Sequence, residues 1–196
     1  MKKRILSILL TACMVLTLLP TVALAVDNSP TKSIADSSLY FKEEGNETKY
    51  STNNTDWISY TGSFTITGSS TSDTEIKNTV VVYSGTHNIT LSDCSIGAVT
   101  AGGTTITTAL SPFNIQGGTV NLTLSGDNKL YSANVRSAGL RVDASATLNI
   151  SGSGSLDARC QKFESIYYGL GAGIGGNYMN ANGVITISGG TVSAYG

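Results

Sequence analysis

Five copies of one short phrase recur in this chain, and they restrict its folding more than any other feature. Ser63-Phe64-Thr65-Ile66-Thr67-Gly68, Asn88-Ile89-Thr90-Leu91-Ser92-Asp93, Asn121-Leu122-Thr123-Leu124-Ser125-Gly126, Thr147-Leu148-Asn149-Ile150-Ser151-Gly152 and Val184-Ile185-Thr186-Ile187-Ser188-Gly189 alternate apolar and polar residues and close on a turn residue. The closing residues lie 25, 33, 26 and 37 positions apart. A constant phrase at uneven spacing predicts stacked repeats joined by loops of variable length, since each phrase buries its apolar side only against its neighbours.

The best-preserved repeats hold three alternating segments. One has Phe113-Asn114-Ile115, Val120 to Leu124 and Leu130-Tyr131-Ser132; the next has Leu140-Arg141-Val142, Leu148-Asn149-Ile150 and Leu156-Asp157-Ala158. Alternation of period two predicts strands with one buried face, and Gly-Gly, Ser-Gly-Ser-Gly and Asn-Gly between them are turn chemistries. The expected fold is all-β, a single-stranded parallel β-helix of about five coils. An antiparallel sandwich would also show short strands and turns, but would not repeat one strand-turn-strand phrase in register. Aligning the closing residues predicts inward ladders Phe64/Ile89/Leu122/Leu148/Ile185 and Ile66/Leu91/Leu124/Ile150/Ile187. Between them runs an outward row of Thr65, Thr90, Thr123, Asn149 and Thr186.

The first residues read as an export signal. Lys2-Lys3-Arg4 precedes an apolar run from Ile5 to Leu19 and a small-residue site at Ala23-Leu24-Ala25, which predicts cleavage between Ala25 and Val26. The run is too short to cross a bilayer comfortably. A lipoprotein box at Leu10-Thr11-Ala12-Cys13 is disfavoured because apolar residues continue past Cys13. Residues 26–38 are polar and aperiodic and read as a linker. Residues 39–60 carry Tyr40, Phe41, Tyr50, Trp57 and Tyr60 and read as a cap on the first coil, and residues 61–196 as the repeat region.

Cleavage leaves nine basic and thirteen acidic residues, a net charge of −4, with no basic stripe for nucleic acid. Cys94 and Cys160, the two cysteines beyond the leader, sit two coil steps apart. That is about 9.6 Å along the stack, too far for a disulfide, which predicts free thiols.

Gly171-Ala172-Gly173-Ile174-Gly175-Gly176, followed by Ile185-Thr186-Ile187-Ser188-Gly189-Gly190-Thr191-Val192, resembles the repeat of exported Gram-positive bacterial surface proteins. Some of these are labelled carbohydrate-binding domains. The resemblance covers roughly residues 60–196. It implies a right-handed parallel β-helix, a secreted or cell-surface location, and a role in adhesion or carbohydrate binding. It also implies further coils and a wall-attachment region after Gly196, so the repeat region reads as truncated there.

Few residues suggest chemistry. The glycine run matches a dinucleotide fingerprint in spacing, but Asn177 to Gly183 is no helix-forming stretch and no acidic residue follows at the right distance. The glycines are expected instead to allow tight passage between coils. His87, the one histidine, has no ligand partner nearby in sequence and reads as a turn residue. Asp127, Asp143 and Asp157 are scattered among Arg136, Arg141 and Arg159, unlike the paired carboxylates of a polysaccharide lyase or hydrolase.

The third segments offer a more specific surface. With Leu130, Leu156 and Val192 inward, Tyr131, Asp157 and Ser193 form one outward row, and Ala133, Arg159 and Tyr195 the next. Tyr131, Asp157, Arg159 and Tyr195 then share a face with flat rings beside hydrogen-bonding groups, which suits a sugar. The expected function is a monomeric, non-enzymatic surface protein that binds a polysaccharide or a host or cell-wall glycan. No cofactor is expected, with a calcium requirement left open, and the mature chain has no membrane span. A secreted lyase or hydrolase and a structural stalk are the competing readings. An ice-binding solenoid is opposed by Asn149 in the threonine row and by the unequal coils.

Overall fold

A computed structural model describes residues 27–72, 76–98, 111–161 and 170–196. The leader and its cleavage site at Ala25 and Val26 lie outside the described residues. Among the described residues every regular element is a strand.

The chain begins with β1 (Asp27–Asn28) and β2 (Thr31–Ser33), then a meander of β3 (Leu39–Glu44), β4 (Glu47–Ser51) and β5 (Ile58–Thr61). The first repeats follow as β6 (Ser63–Ser72), β7 (Val80–Val82) and β8 (Thr86–Ala98). Three further repeats each supply three strands. These are β9 (Phe113–Ile115), β10 (Gly118–Ser125) and β11 (Asp127–Tyr131), then β12 (Leu140–Val142), β13 (Ala146–Gly152) and β14 (Ser155–Arg159). The last set is β15 (Ile174–Gly175), β16 (Val184–Ile187) and β17 (Thr191–Tyr195).

These strands form two sheets, and this corrects the expectation of a single-stranded right-handed β-helix. The first segments of the repeats join the meander in an eight-stranded sheet, β1-β5-β4-β3-β7-β9-β12-β15. The second and third segments together form a nine-stranded sheet that curls across its width. The physical cause is that in the first repeats the corner between these segments does not end the strand, so the separate strands of the later repeats are joined through it into one sheet. β8 runs unbroken from Thr86 to Ala98 and pairs with β10 over its first part and with β11 over its last. β6 also runs unbroken and pairs with β8 over both parts, with a register shift at Thr67/Gly68 that re-aims the strand without breaking its ladder. The second and third segments therefore belong to one sheet.

Strand pairing between repeats is parallel, apart from one isolated antiparallel bridge between Asp143 and Asn182, whereas β3, β4 and β5 pair antiparallel. Asp27 to Ile34, read from composition as a connector, supplies β1 and β2, which pair with β5 and β6, and buries Ile34 completely.

The core lies between the sheets, and its ladders keep the expected inward parity with a changed register. Phe64, Ile89, Leu122 and Ile150 align in one buried ladder that ends on Ile187, which is 52% exposed, and Val120 and Leu148 align in another that ends on the half-buried Ile185. Leu122 thus pairs with Ile150, two residues from the predicted partner. The reason is the Ser151-Gly152-Ser153-Gly154 turn, which offers two glycines. Gly154, not Gly152, stands level with Gly126, so that Ser155 pairs with Asp127. The outward row shifts accordingly into an amide ladder, in which Asn149 Nδ2 donates to Asn121 Oδ1 and Asn121 Nδ2 to Asn88 Oδ1, both at 2.9 Å.

The N-terminal end of the core is aromatic. Phe41 and Tyr50 meet Phe64 edge-to-face at 4.8 and 4.9 Å between ring centroids. His87 packs against Phe41 at 5.5 Å in the same cluster and is fully buried, not placed in a turn. Cys94 and Cys160 are both free and buried, as the coil separation predicts.

Candidate functional site

Corrected register decides which side chains meet on the outer face of the third segments. Leu130 pairs with Ala158 and Tyr131 with Arg159, two residues from the sequence alignment. One outer row runs Ser69, Ser95, Lys129, Asp157, Ser193; the next runs Thr71, Gly97, Tyr131, Arg159, Tyr195. Tyr131, Arg159 and Tyr195 therefore share a single row, with Asp157 beside them. Ala133 takes no part in it.

Successive strands bring these side chains into a stack. The Arg159 guanidinium lies 5.1 Å from the Tyr131 ring centroid and 4.9 Å from that of Tyr195. Both contacts are within the range of a cation–π attraction. Asp157 clamps the stack from the side. Its Oδ1 accepts from Arg159 Nε at 2.8 Å, and its Oδ2 accepts from Arg159 Nη2 at 2.6 Å and from the Tyr131 hydroxyl at 2.7 Å.

This geometry sets the charge states. Burial works to raise the Asp157 carboxyl, but hydrogen bonds from Arg159 and Tyr131 and the charges of Arg159 and Lys129 outweigh it and hold it below the usual range. Burial, with the hydrogen bond and charge of Asp157, pushes the Tyr131 phenol up to about 12. The phenol is thus a donor at any physiological pH. Arg159 is held charged chiefly by its hydrogen bonds to Asp157. Asp157 and Arg159 satisfy one another, which leaves neither free to take a ligand's charge without breaking the clamp.

The other face of Tyr131 is different. On that side its row continues to Gly97, which has no side chain, and then to Thr71 on the following strand. A cavity of about 210 Å³ opens there, lined by Ser69, Thr71, Ser95, Ile96, Lys129 and Tyr131. Gly97 is required at this point, since a Cβ would stand 1.7 Å from the Tyr131 carbonyl oxygen. Lys129 and Gly97 were missed in the sequence; taking Gly154 as the counterpart of Gly126 would have placed Lys129 beside Asp157.

Elsewhere the surface offers less. A depression of about 400 Å³ borders Arg141, Asp143 and Asn180, but its two charges are paired with each other. Among the described residues no three of His, Cys, Asp and Glu gather where they could hold a metal ion. The glycine-run residues Ile174 and Gly175 form β15 against β12, with no helix after them. A Cβ at Gly173 would meet the Tyr195 backbone nitrogen at 2.3 Å, so close chain passage explains that glycine.

No family model matches the chain, and neither a curated protein nor a solved structure is significantly similar to it.

Proposed function

We propose that this chain is an exported bacterial surface protein that binds glycans through the outer face of its curled sheet. The observation that carries the reading is Tyr131. Its phenol is fixed by Asp157 and one face of its ring is braced by Arg159, while the other face borders an open, hydroxyl-lined cavity. A rigid ring presented this way gives a sugar its apolar contact at little entropic cost, and polar groups around it engage the hydroxyls. The leader-like N-terminus and the resemblance of the glycine-rich repeat to bacterial surface proteins support the proposed location.

The test is electrophoresis of the protein through gels containing a panel of soluble polysaccharides. Wild type should be retarded by at least one of them, and Tyr131→Ala combined with Tyr195→Ala should remove the retardation. Binding that survives in the double variant places the site elsewhere. Retardation by none of the panel would leave a structural stalk as the better account.

A further inference from the structure

We infer that the gap over Gly97 is a subsite for one anionic pyranose unit, with its ring against the free face of Tyr131 and its acidic group at Lys129. The inference rests on the glycan-binding reading and adds the charge, size and position of the bound unit.

The size follows from the sheet. Neighbouring strands lie about 4.8 Å apart, so Thr71 and Tyr131, separated by the strand carrying Gly97, stand about 9.6 Å apart. A flat group between them would have a neighbour at about 4.8 Å on each side. The same row already displays this arrangement one step further along, where the Arg159 guanidinium sits 5.1 Å and 4.9 Å from two tyrosine rings. At Gly97 no side chain among the described residues fills the equivalent place. The cavity of about 210 Å³ falls below the roughly 300–1,000 Å³ of sites for drug-sized ligands, and suits a single ring.

The chemistry follows from the lining. Tyr131 supplies the flat apolar wall, and Ser69, Thr71 and Ser95 supply hydroxyls that donate or accept. Lys129 is the one cation of the lining, and it takes part in no ion pair among the described residues. Its neighbour in register, Asp157, is already saturated by Arg159 and Tyr131. The ammonium is therefore available to a ligand anion, whereas Arg159, the other cation of this face, is not. A uronic acid and a sulfated sugar both offer the required ring and charge.

Titration calorimetry on the full chain tests this with three short oligosaccharides: a galacturonate oligomer, a sulfated galactose oligomer and a neutral galactose oligomer. One or both anionic oligomers should bind in about the millimolar range expected for a single ring, more weakly at high salt, and at least tenfold more tightly than the neutral one. Thr71→Trp, which lays an indole over Gly97, should abolish binding. Lys129→Met should weaken it about tenfold and remove the salt dependence, while Lys77→Met should leave it unchanged. Equal binding of the neutral oligomer, or undiminished binding by Thr71→Trp and Lys129→Met, would overturn the inference and leave the broader glycan-binding reading intact. Failure of all three oligomers, together with retardation by no polysaccharide, would overturn both.

Discussion

The imidazole of His87 has both nitrogens occupied. Its Nε2 lies 2.8 Å from the Ser84 carbonyl oxygen, which can only accept, so Nε2 carries the proton. Nδ1 then accepts from the Tyr60 hydroxyl at 2.6 Å. Burial holds the His87 pKa below 6.5, against smaller upward pulls from Ser84 and Glu43. The unfolded chain therefore takes up a proton that the folded chain refuses. Stability should be complete above about pH 6.5 and fall as the pH drops below it, by up to about 1.4 kcal/mol per pH unit until the folded pKa is passed. Because this is the only histidine, a melting curve recorded from pH 8 to 5 isolates the effect, and His87→Gln should flatten it. A flat wild-type curve would show that the buried imidazole does not titrate as described. Nothing in Gly85-Thr86-His87 announces this role, because the partner that justifies burying the ring is Tyr60, far back in the sequence. Asn128 is similar: its amide binds the Ser125 and Ser155 carbonyls and the Cys94 N–H inside a corner, which no local pattern signals.

At the scale of the strand, the apolar-polar alternation was fully legible, because period two depends only on the neighbouring residue. Register was not, because it depends on how each corner is closed. The two glycines of Ser151-Gly152-Ser153-Gly154 allow two alignments that keep the same parity, and the wrong choice displaced both the core ladder and the outer rows by two residues. Tyr131, Asp157, Arg159 and Tyr195 still came together, since the displacement was an even number. The curl of the nine-stranded sheet was hidden for a related reason: Asp93, legible as a turn residue, adopts a positive φ of 50° inside β8, and the strand continues through it. A pair of glycines separates conformational strain from close packing. Gly45 (φ +62°) has nothing within 4 Å of a built Cβ, whereas Gly97 (φ +128°) has the Tyr131 carbonyl oxygen at 1.7 Å. Gly45→Ala should cost about 1 kcal/mol for the left-handed backbone alone. Gly97→Ala should cost several kcal/mol by forcing β8 away from β11. Urea midpoints compare the two, and equal losses would contradict the contact between these strands.

Over the whole molecule, the strands of each repeat are bonded mainly to those of the repeats before and after. The sheet order places β1 and β2 with the N-terminal meander at one end and β15, β16 and β17 at the other. Hydrogen bonds between strands consequently point along the line that joins the two ends. A pull on those ends loads the bonds one strand pair at a time, as in opening a zip, instead of shearing a whole strand at once. In the observed register successive repeats are offset by 25, 33, 28 and 37 residues, so detachment of one repeat should release roughly 90–130 Å of chain at about 3.5 Å per residue. Single-molecule stretching should then give a train of low-force steps of those lengths, and one large rupture would contradict it. A protein that yields by steps dissipates a tug gradually, and the part still stacked keeps its shape while the rest pays out.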